Sequence, residues 1–177
     1  MHNEIASALP ELKLIQDASL RGKVTDVWAE ALESGGFTIA ELKAVPFTLL
    51  SDNVSVSFLE HVRAVCQMCV AMADVVSGSY GTRIPINKDV LIAGALLADV
   101  GKMIEFERRA DGTYRKGHKG DMLRHPFSGV GLAFKHDIPY EVMHIIAVHS
   151  KEGDFVRRSP EAIIYHHAEF ADFELAR

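Results

Sequence analysis

The chain has 177 residues, 48% hydrophobic and 24% charged, with a formal net charge of −5. That apolar content excludes disorder as the dominant state, the length suits one domain with a sizeable core, and the negative balance argues against bulk capture of nucleic acid. Two cysteines, Cys66 and Cys69, give no disulfide framework and make a cytoplasmic address the default, whereas nine histidines call for an explanation.

The start, Met1-His2-Asn3-Glu4, has neither the basic nor the apolar region of a signal peptide. Leu12 to Leu20 and then Val24 to Leu32 read as short amphipathic helices, the second stopped by Gly35-Gly36. Ile39 to Val45 reads as another, closed by Pro46. Ser51-Asp52-Asn53 is polar punctuation and the best candidate boundary. Beyond it Phe58, Val62, Val65, Cys69, Met72 and Val76 recur at helical spacing, which predicts a long core helix ending in the turn-rich Ser77-Gly78-Ser79-Tyr80-Gly81.

Asn87 suits an N-cap, and the nearly all-apolar Val90 to Val100 predicts a helix buried all round, with Gly101 as its C′ residue. Its apolar run, Val90 to Ala98, is too short to span a bilayer, so no membrane partner is expected. Ile104 to Arg108 and Thr113 to Lys116 flank Ala110-Asp111-Gly112, which predicts a β-hairpin. Phe127 to Phe134 and Pro139 to about His149 read as helices. Ser159-Pro160-Glu161 is a strong start for a last helix reaching about Phe173. The expected architecture is all-α, a single domain over 1–177 of about eight helices with a hairpin insertion. Residues 1–50 are expected as a helical N-terminal extension packed on it. Trp28 and Phe37 in that segment serve either this packing or a homodimer contact.

Several polar residues do not belong where they stand. Asp99 is a carboxylate in an apolar helix, near the end where the dipole disfavours it, so it must be paired, protonated or metal-bound. A buried salt bridge to Lys102 is the structural alternative. His61 lies early in the long helix, His125 precedes Pro126 at a helix start, and His149 ends an apolar run. Each has a bland reading: a core-edge polar group, a cap, a C-terminal cation. His166 and Glu169 share a face of the last helix, as a solvated stripe would. Taken together, imidazoles and carboxylates are spread over separate helices, the way bundles hold divalent metals. With no thiolate, iron, manganese, zinc and nickel all suit, and one or two ions are open.

In order, Glu60-His61-Val62-Arg63, Leu96-Leu97-Ala98-Asp99-Val100-Gly101-Lys102, Leu123-Arg124-His125-Pro126-Phe127-Ser128-Gly129, Ile146-Ala147-Val148-His149 and Ser159-Pro160-Glu161-Ala162-Ile163-Ile164 leading to His167-Ala168-Glu169 resemble the HD-domain superfamily of metal-dependent phosphohydrolases. The resemblance covers about residues 54 to 173. The run from Asp99 through the hairpin to His125 also looks like the HD module of some bacterial exoribonucleases. It implies an HD-like helical bundle with metal ligation by His61, Asp99, His125, His149 and Glu169, Asp99 bridging if two ions bind. It implies catalytic roles for Asp99 and Lys102, the lysine standing near a phosphate. The family's His-Asp pair reads Ala98-Asp99, and its last Asp reads Glu169, so one metal position lacks an imidazole. His166 or His167 is a candidate replacement.

The implied activity is hydrolysis of a small phosphate ester or nucleotide by a metal-activated water. Two alternatives stay open: a non-phosphoryl metalloenzyme of the iron oxygenase or hydratase type, and a non-catalytic sensor or binding module. The partner is expected to be an anionic small molecule. Arg108, Arg109, Arg115, Lys116, Lys119 and Arg124 read either as an anion-recruiting rim or as a solvated hairpin, with Arg157 and Arg158 as a second basic pair. Only Tyr114 is interleaved with the hairpin cations, which does not favour a nucleic-acid partner.

Overall fold

The structure is a computed structural model that describes residues 1–51 and 54–176. The candidate boundary at Asp52 therefore lies outside the described residues. The order is α1 (His2–Ala8), a 3₁₀ turn Pro10–Leu14, α2 (Ala18–Gly35), a 3₁₀ turn Glu41–Lys43, α3 (Phe58–Tyr80), α4 (Lys88–Leu97) and α5 (Lys102–Glu105). Strands β1 (Phe106–Arg108) and β2 (Tyr114–Lys116) follow, then α6 (His118–Met122), α7 (His125–Lys135), α8 (Tyr140–Val148) and α9 (Pro160–Ala176). The fold is an all-α bundle with one small antiparallel hairpin, in register Phe106 with Lys116 and Arg108 with Tyr114.

Local chemistry sets most boundaries. Asp17 caps α2 by accepting from the Ser19 and Leu20 amides, so no helix runs over Leu12–Leu20 and one long helix replaces the two expected. Gly36, at φ +69°, ends α2 in the left-handed conformation that glycine adopts without strain. The segment Ile39–Val45 shrinks to the short 3₁₀ turn. Ser57 and Glu60 form a reciprocal capping box at the start of α3. That helix continues through Ser77-Gly78-Ser79, where a loop was expected, because nothing there breaks its hydrogen bonds before Gly81. Asn87 caps α4 and Ser159 caps α9, each accepting a backbone N–H three residues on.

Gly101 is not a left-handed C′ residue: its φ is −63°, and it opens α5. Its role is close approach, since a Cβ there would stand 2.2 Å from the His125 carbonyl oxygen. Ile104 belongs to α5, so the hairpin is shorter than expected, and α6 was not anticipated.

Every residue from Val90 to Met103 is buried. α4 packs against α2, α3, α8 and α9 and forms the centre of the bundle. Its C-terminal end therefore points the Ala98-Asp99 turn into the core. By length and composition α3 with the turn after it, Phe58–Arg83, is long and apolar enough to cross a membrane, which the reading of apolar runs did not anticipate. One face of α3, with Phe58, His61, Val62, Val65, Cys69 and Ala73, is buried inside the chain.

Trp28 is fully buried, donates from Nε1 to the Leu96 carbonyl at 3.0 Å and meets Phe58 edge-on. Phe37 is buried against Tyr114. Both side chains pack within the chain, so neither forms the exposed dimer contact considered above. Trp28→Phe should leave the Leu96 carbonyl without its partner and cost about 1–3 kcal/mol. Urea unfolding followed by circular dichroism reads this, because Trp28 is the sole tryptophan and its fluorescence is lost with it.

Candidate metal centre

Six ionisable side chains, His61, Asp99, Lys102, His125, His149 and Glu169, converge at the end of α4. Asp99 is 2% exposed. Its Oδ2 accepts from Lys102 Nζ at 2.7 Å and lies 3.2 Å from His61 Nε2. Its Oδ1 lies 3.3 Å from His125 Nε2 and 3.6 Å from His149 Nε2, yet has no hydrogen-bond partner. Those two imidazole nitrogens are 3.2 Å apart. Glu169 Oε2 lies 3.1 Å from His61 Nε2 and accepts from the Tyr165 hydroxyl at 3.0 Å. Two triads result, Asp99–His125–His149 and His61–Asp99–Glu169, all buried, with Asp99 common to both.

Each imidazole is oriented from behind. His125 Nδ1 faces Glu105 Oε2 at 2.9 Å, and the His125 amide donates to the same oxygen at 2.7 Å. His61 Nδ1 faces Asp172 Oδ2 at 2.6 Å, and His149 Nδ1 donates to the Ile146 carbonyl at 2.8 Å. An acceptor at Nδ1 keeps a ring hydrogen there, so that in the neutral ring, the form that binds a metal, the Nε2 lone pair is turned to the centre. Phe47 stacks on His61 at 4.6 Å, and Tyr165 meets His149 edge-on at 5.7 Å.

Glu105 and Asp172 escaped the sequence reading. Asp172 had a signal, since it stands three residues beyond Glu169 on the same helix and shares a face with it. Glu105 had none: it reaches His125 only because α5 folds back beside the start of α7.

Burial pushes the Asp99 carboxyl up, but the Lys102 ammonium and the three imidazoles outweigh it and hold it well below the usual carboxylate range. Burial pushes His61 down, but Glu169, Asp172 and Asp99 raise it well above an ordinary imidazole. His125 is likewise raised, by Asp99 and Glu105 against burial. For Glu105 burial is again outweighed, here by His125 and Arg124, and its carboxyl titrates below the ordinary 4.5.

A depressed carboxyl stabilises the fold above its unfolded pKa and loses that contribution as pH falls through the folded value. Glu105→Gln should therefore lower the stability of the metal-free protein near neutral pH and have a smaller effect at about pH 3, below the ordinary 4.5. Denaturant titrations at the two pH values check the difference. Equal losses at both would mean that charge plays no part.

Of the residues singled out from sequence, His61, Asp99, Lys102, His125, His149 and Glu169 all come together here. Ala98 is buried and brings no nitrogen. His166 is half-buried, with Nδ1 2.8 Å from the His149 carbonyl, and His167 is exposed; neither is part of the two triads found among the described residues. Much of the basic hairpin is matched by carboxylates. Arg108 pairs with Glu41, Arg115 with Glu107, Lys116 with Asp121, and Arg124 with Glu105 and Glu152, which favours the solvated-hairpin alternative. Arg158 donates to the Val148 and Ser150 carbonyls and so ties down the chain on both sides of His149.

The donors suit a divalent transition metal: imidazole nitrogens and carboxylate oxygens without thiolate. Cys66 and Cys69 are buried and stand outside both triads, and burial pushes the Cys66 thiol up to about 12. Asp99 Oδ1, without a hydrogen bond and flanked by two imidazole nitrogens, is the atom whose surroundings a cation completes.

This is the centre of an HD domain: residues 58–170 match that family, and the chain belongs to it. HD domains are metal-dependent, in keeping with these His, Asp and Glu groups. Over 120 residues the chain is 38% identical to the dihydroneopterin 2′,3′-cyclic phosphate phosphodiesterase of Methanocaldococcus jannaschii, covering 66% of this chain and 46% of that relative. The chain thus spans less than half the length of the curated relative it matches. No solved structure matches it.

Proposed function

We propose that this chain hydrolyses a small phosphate ester at a divalent metal held by residues drawn from His61, Asp99, His125, His149 and Glu169. The observation that carries the reading is the convergence of three imidazole Nε2 atoms on one buried carboxylate, each ring turned by an acceptor behind it. A bound divalent ion supplies Lewis acidity toward a phosphoryl oxygen and an activated water at neutral pH. Iron, manganese, zinc and nickel all suit the donors.

The protein's own groups do the remaining work. Asp99 stays ionised beside Lys102 and so keeps its charge for the cation. Lys102, tied to Asp99 and to the Phe47 carbonyl at 2.9 Å, is a fixed positive charge toward which a phosphoryl oxygen is drawn. Phe47 and Tyr165 wall the centre and limit water, which strengthens these interactions.

The relative's printed substrate suggests the class of ester, a cyclic phosphodiester opened by water to a monoester. The net charge of −5 argues against a nucleic acid bound in bulk. A panel of cyclic diesters and phosphate monoesters, offered to the metal-free protein reloaded with each of the four metals, tests this. Ring opening with at least one metal is expected. A metal-loaded protein inert on every ester would overturn the reading and return the chain to the non-phosphoryl metalloenzyme and binding-module alternatives.

A further inference from the structure

The two triads that share Asp99 are not equivalent, and their differences point to different occupants. On the Oδ2 side the groups already satisfy one another. Lys102 Nζ donates to Oδ2 at 2.7 Å and to the Phe47 carbonyl at 2.9 Å, so the ammonium is held in place from two sides. His61 Nε2 stands 3.2 Å from Oδ2 and 3.1 Å from Glu169 Oε2, its Nδ1 faces Asp172, and Glu169 also accepts from Tyr165. Ala98, buried beside Asp99 in the chain, has no side-chain donor atom to add.

On the Oδ1 side the opposite holds. Oδ1 has no hydrogen-bond partner, and two imidazole nitrogens approach it and each other at 3.2–3.6 Å. Both rings have their Nδ1 atoms turned to acceptors, Glu105 and the Ile146 carbonyl. A carboxylate oxygen without a hydrogen bond and two imidazole nitrogens are therefore gathered within 3.2–3.6 Å, a donor set that a cation would complete.

We propose that this chain holds one divalent ion, on Asp99 Oδ1, His125 and His149, and that the Lys102 ammonium takes the place of a second ion on Asp99 Oδ2. The proposal rests on the metal-dependent reading above and refines it. Lys102 then has a double part: it neutralises the half of Asp99 that the ion leaves free, and it keeps a second cation out by like-charge repulsion in a dry site. His61 and Glu169 become positioning residues: His61 stands against Asp99 Oδ2, and Glu169 holds His61.

The test is metal content. The full chain is stripped with chelator, reloaded with excess Mn²⁺ or Zn²⁺, desalted and analysed for metal per chain, with circular dichroism as the folding control. The wild type should hold one ion. Glu169→Gln should keep it, His125→Ala and His149→Ala should lose it, and Lys102→Met should rise toward two. An anomalous-scattering map of the wild-type crystal, which needs no variant, should place the ion against His125 and His149.

Two ions in the wild type, an ion beside His61 and Glu169 in the map, or metal lost in Glu169→Gln but kept in His149→Ala would overturn the proposal and leave the metal-dependent reading standing. A Lys102→Met protein that stays at one ion would overturn the part assigned to the lysine. No metal in any preparation would sink both.

Discussion

Asp99→Asn should empty the metal centre and abolish ester hydrolysis together. The carboxylate is the group common to both triads, and an amide is a poor ligand with half its surface turned to donor. The loss of metal affinity should exceed the roughly 10–100-fold typical of losing an outer hydrogen-bond partner, because the residue lost here is the one on which three imidazoles converge. Fold stability should fall as well. Lys102 is buried and would face a neutral amide and the Phe47 carbonyl instead of a carboxylate, and stranding one member of a buried ion pair costs about 3–5 kcal/mol. The double variant Asp99→Asn with Lys102→Met separates the two effects. It should regain much of the lost stability, since no buried charge is left unpaired, and none of the metal. Denaturant unfolding and metal analysis on the three proteins give the comparison. Retained metal in Asp99→Asn would show that the carboxylate is not the anchor.

Gly101→Ala is expected to be nearly as damaging, although it touches no ionisable group. A Cβ at this position would lie 2.2 Å from the His125 carbonyl oxygen, 2.6 Å from Ser128 Oγ and 2.8 Å from the Gly129 nitrogen. Two of the three are backbone atoms of α7 and have no rotamer by which to withdraw, so the start of α7 must move, with His125 on it. Overpacking of this kind costs about 1–3 kcal/mol. The displacement of His125 should also weaken metal binding, which calorimetric titration reads. Gly22→Ala is the control: Gly22 is exposed in α2 with nothing within 4 Å of a Cβ, and alanine there should stabilise by about 0.5–1 kcal/mol. Equal effects at the two glycines would contradict the packing argument.

Where local chemistry decides structure, the sequence is readable. The period of α3, the all-apolar α4, the Asn87 and Ser159 caps and the Asp-Gly hairpin each follow from residues within a few positions of one another. The start of α2 was misplaced because Asp17 reads equally well as a polar residue inside an amphipathic pattern and as a cap; the backbone chooses the cap. α6 is too short and too polar to announce itself by period. At the site, a buried acid in an apolar helix and the ordered histidines led to the centre. What stayed hidden is what tertiary contact alone creates. Glu105 stands 20 residues from His125, Asp172 stands 111 from His61, and Phe47 supplies a ring and a carbonyl from a loop with no pattern of its own. The pairing of the hairpin cations was hidden for the same reason, since Glu41 lies 67 residues from Arg108.

The central claim is that the buried centre around Asp99 hydrolyses a phosphate ester by means of a bound metal. Its most direct test follows hydrolysis of dihydroneopterin 2′,3′-cyclic phosphate by the wild-type chain before chelation, after chelation and after metal is restored. Conversion to the monoester that stops on chelation and returns with metal is the expected result. Hydrolysis that survives complete removal of metal, or none at all from a protein shown to carry metal, would contradict it.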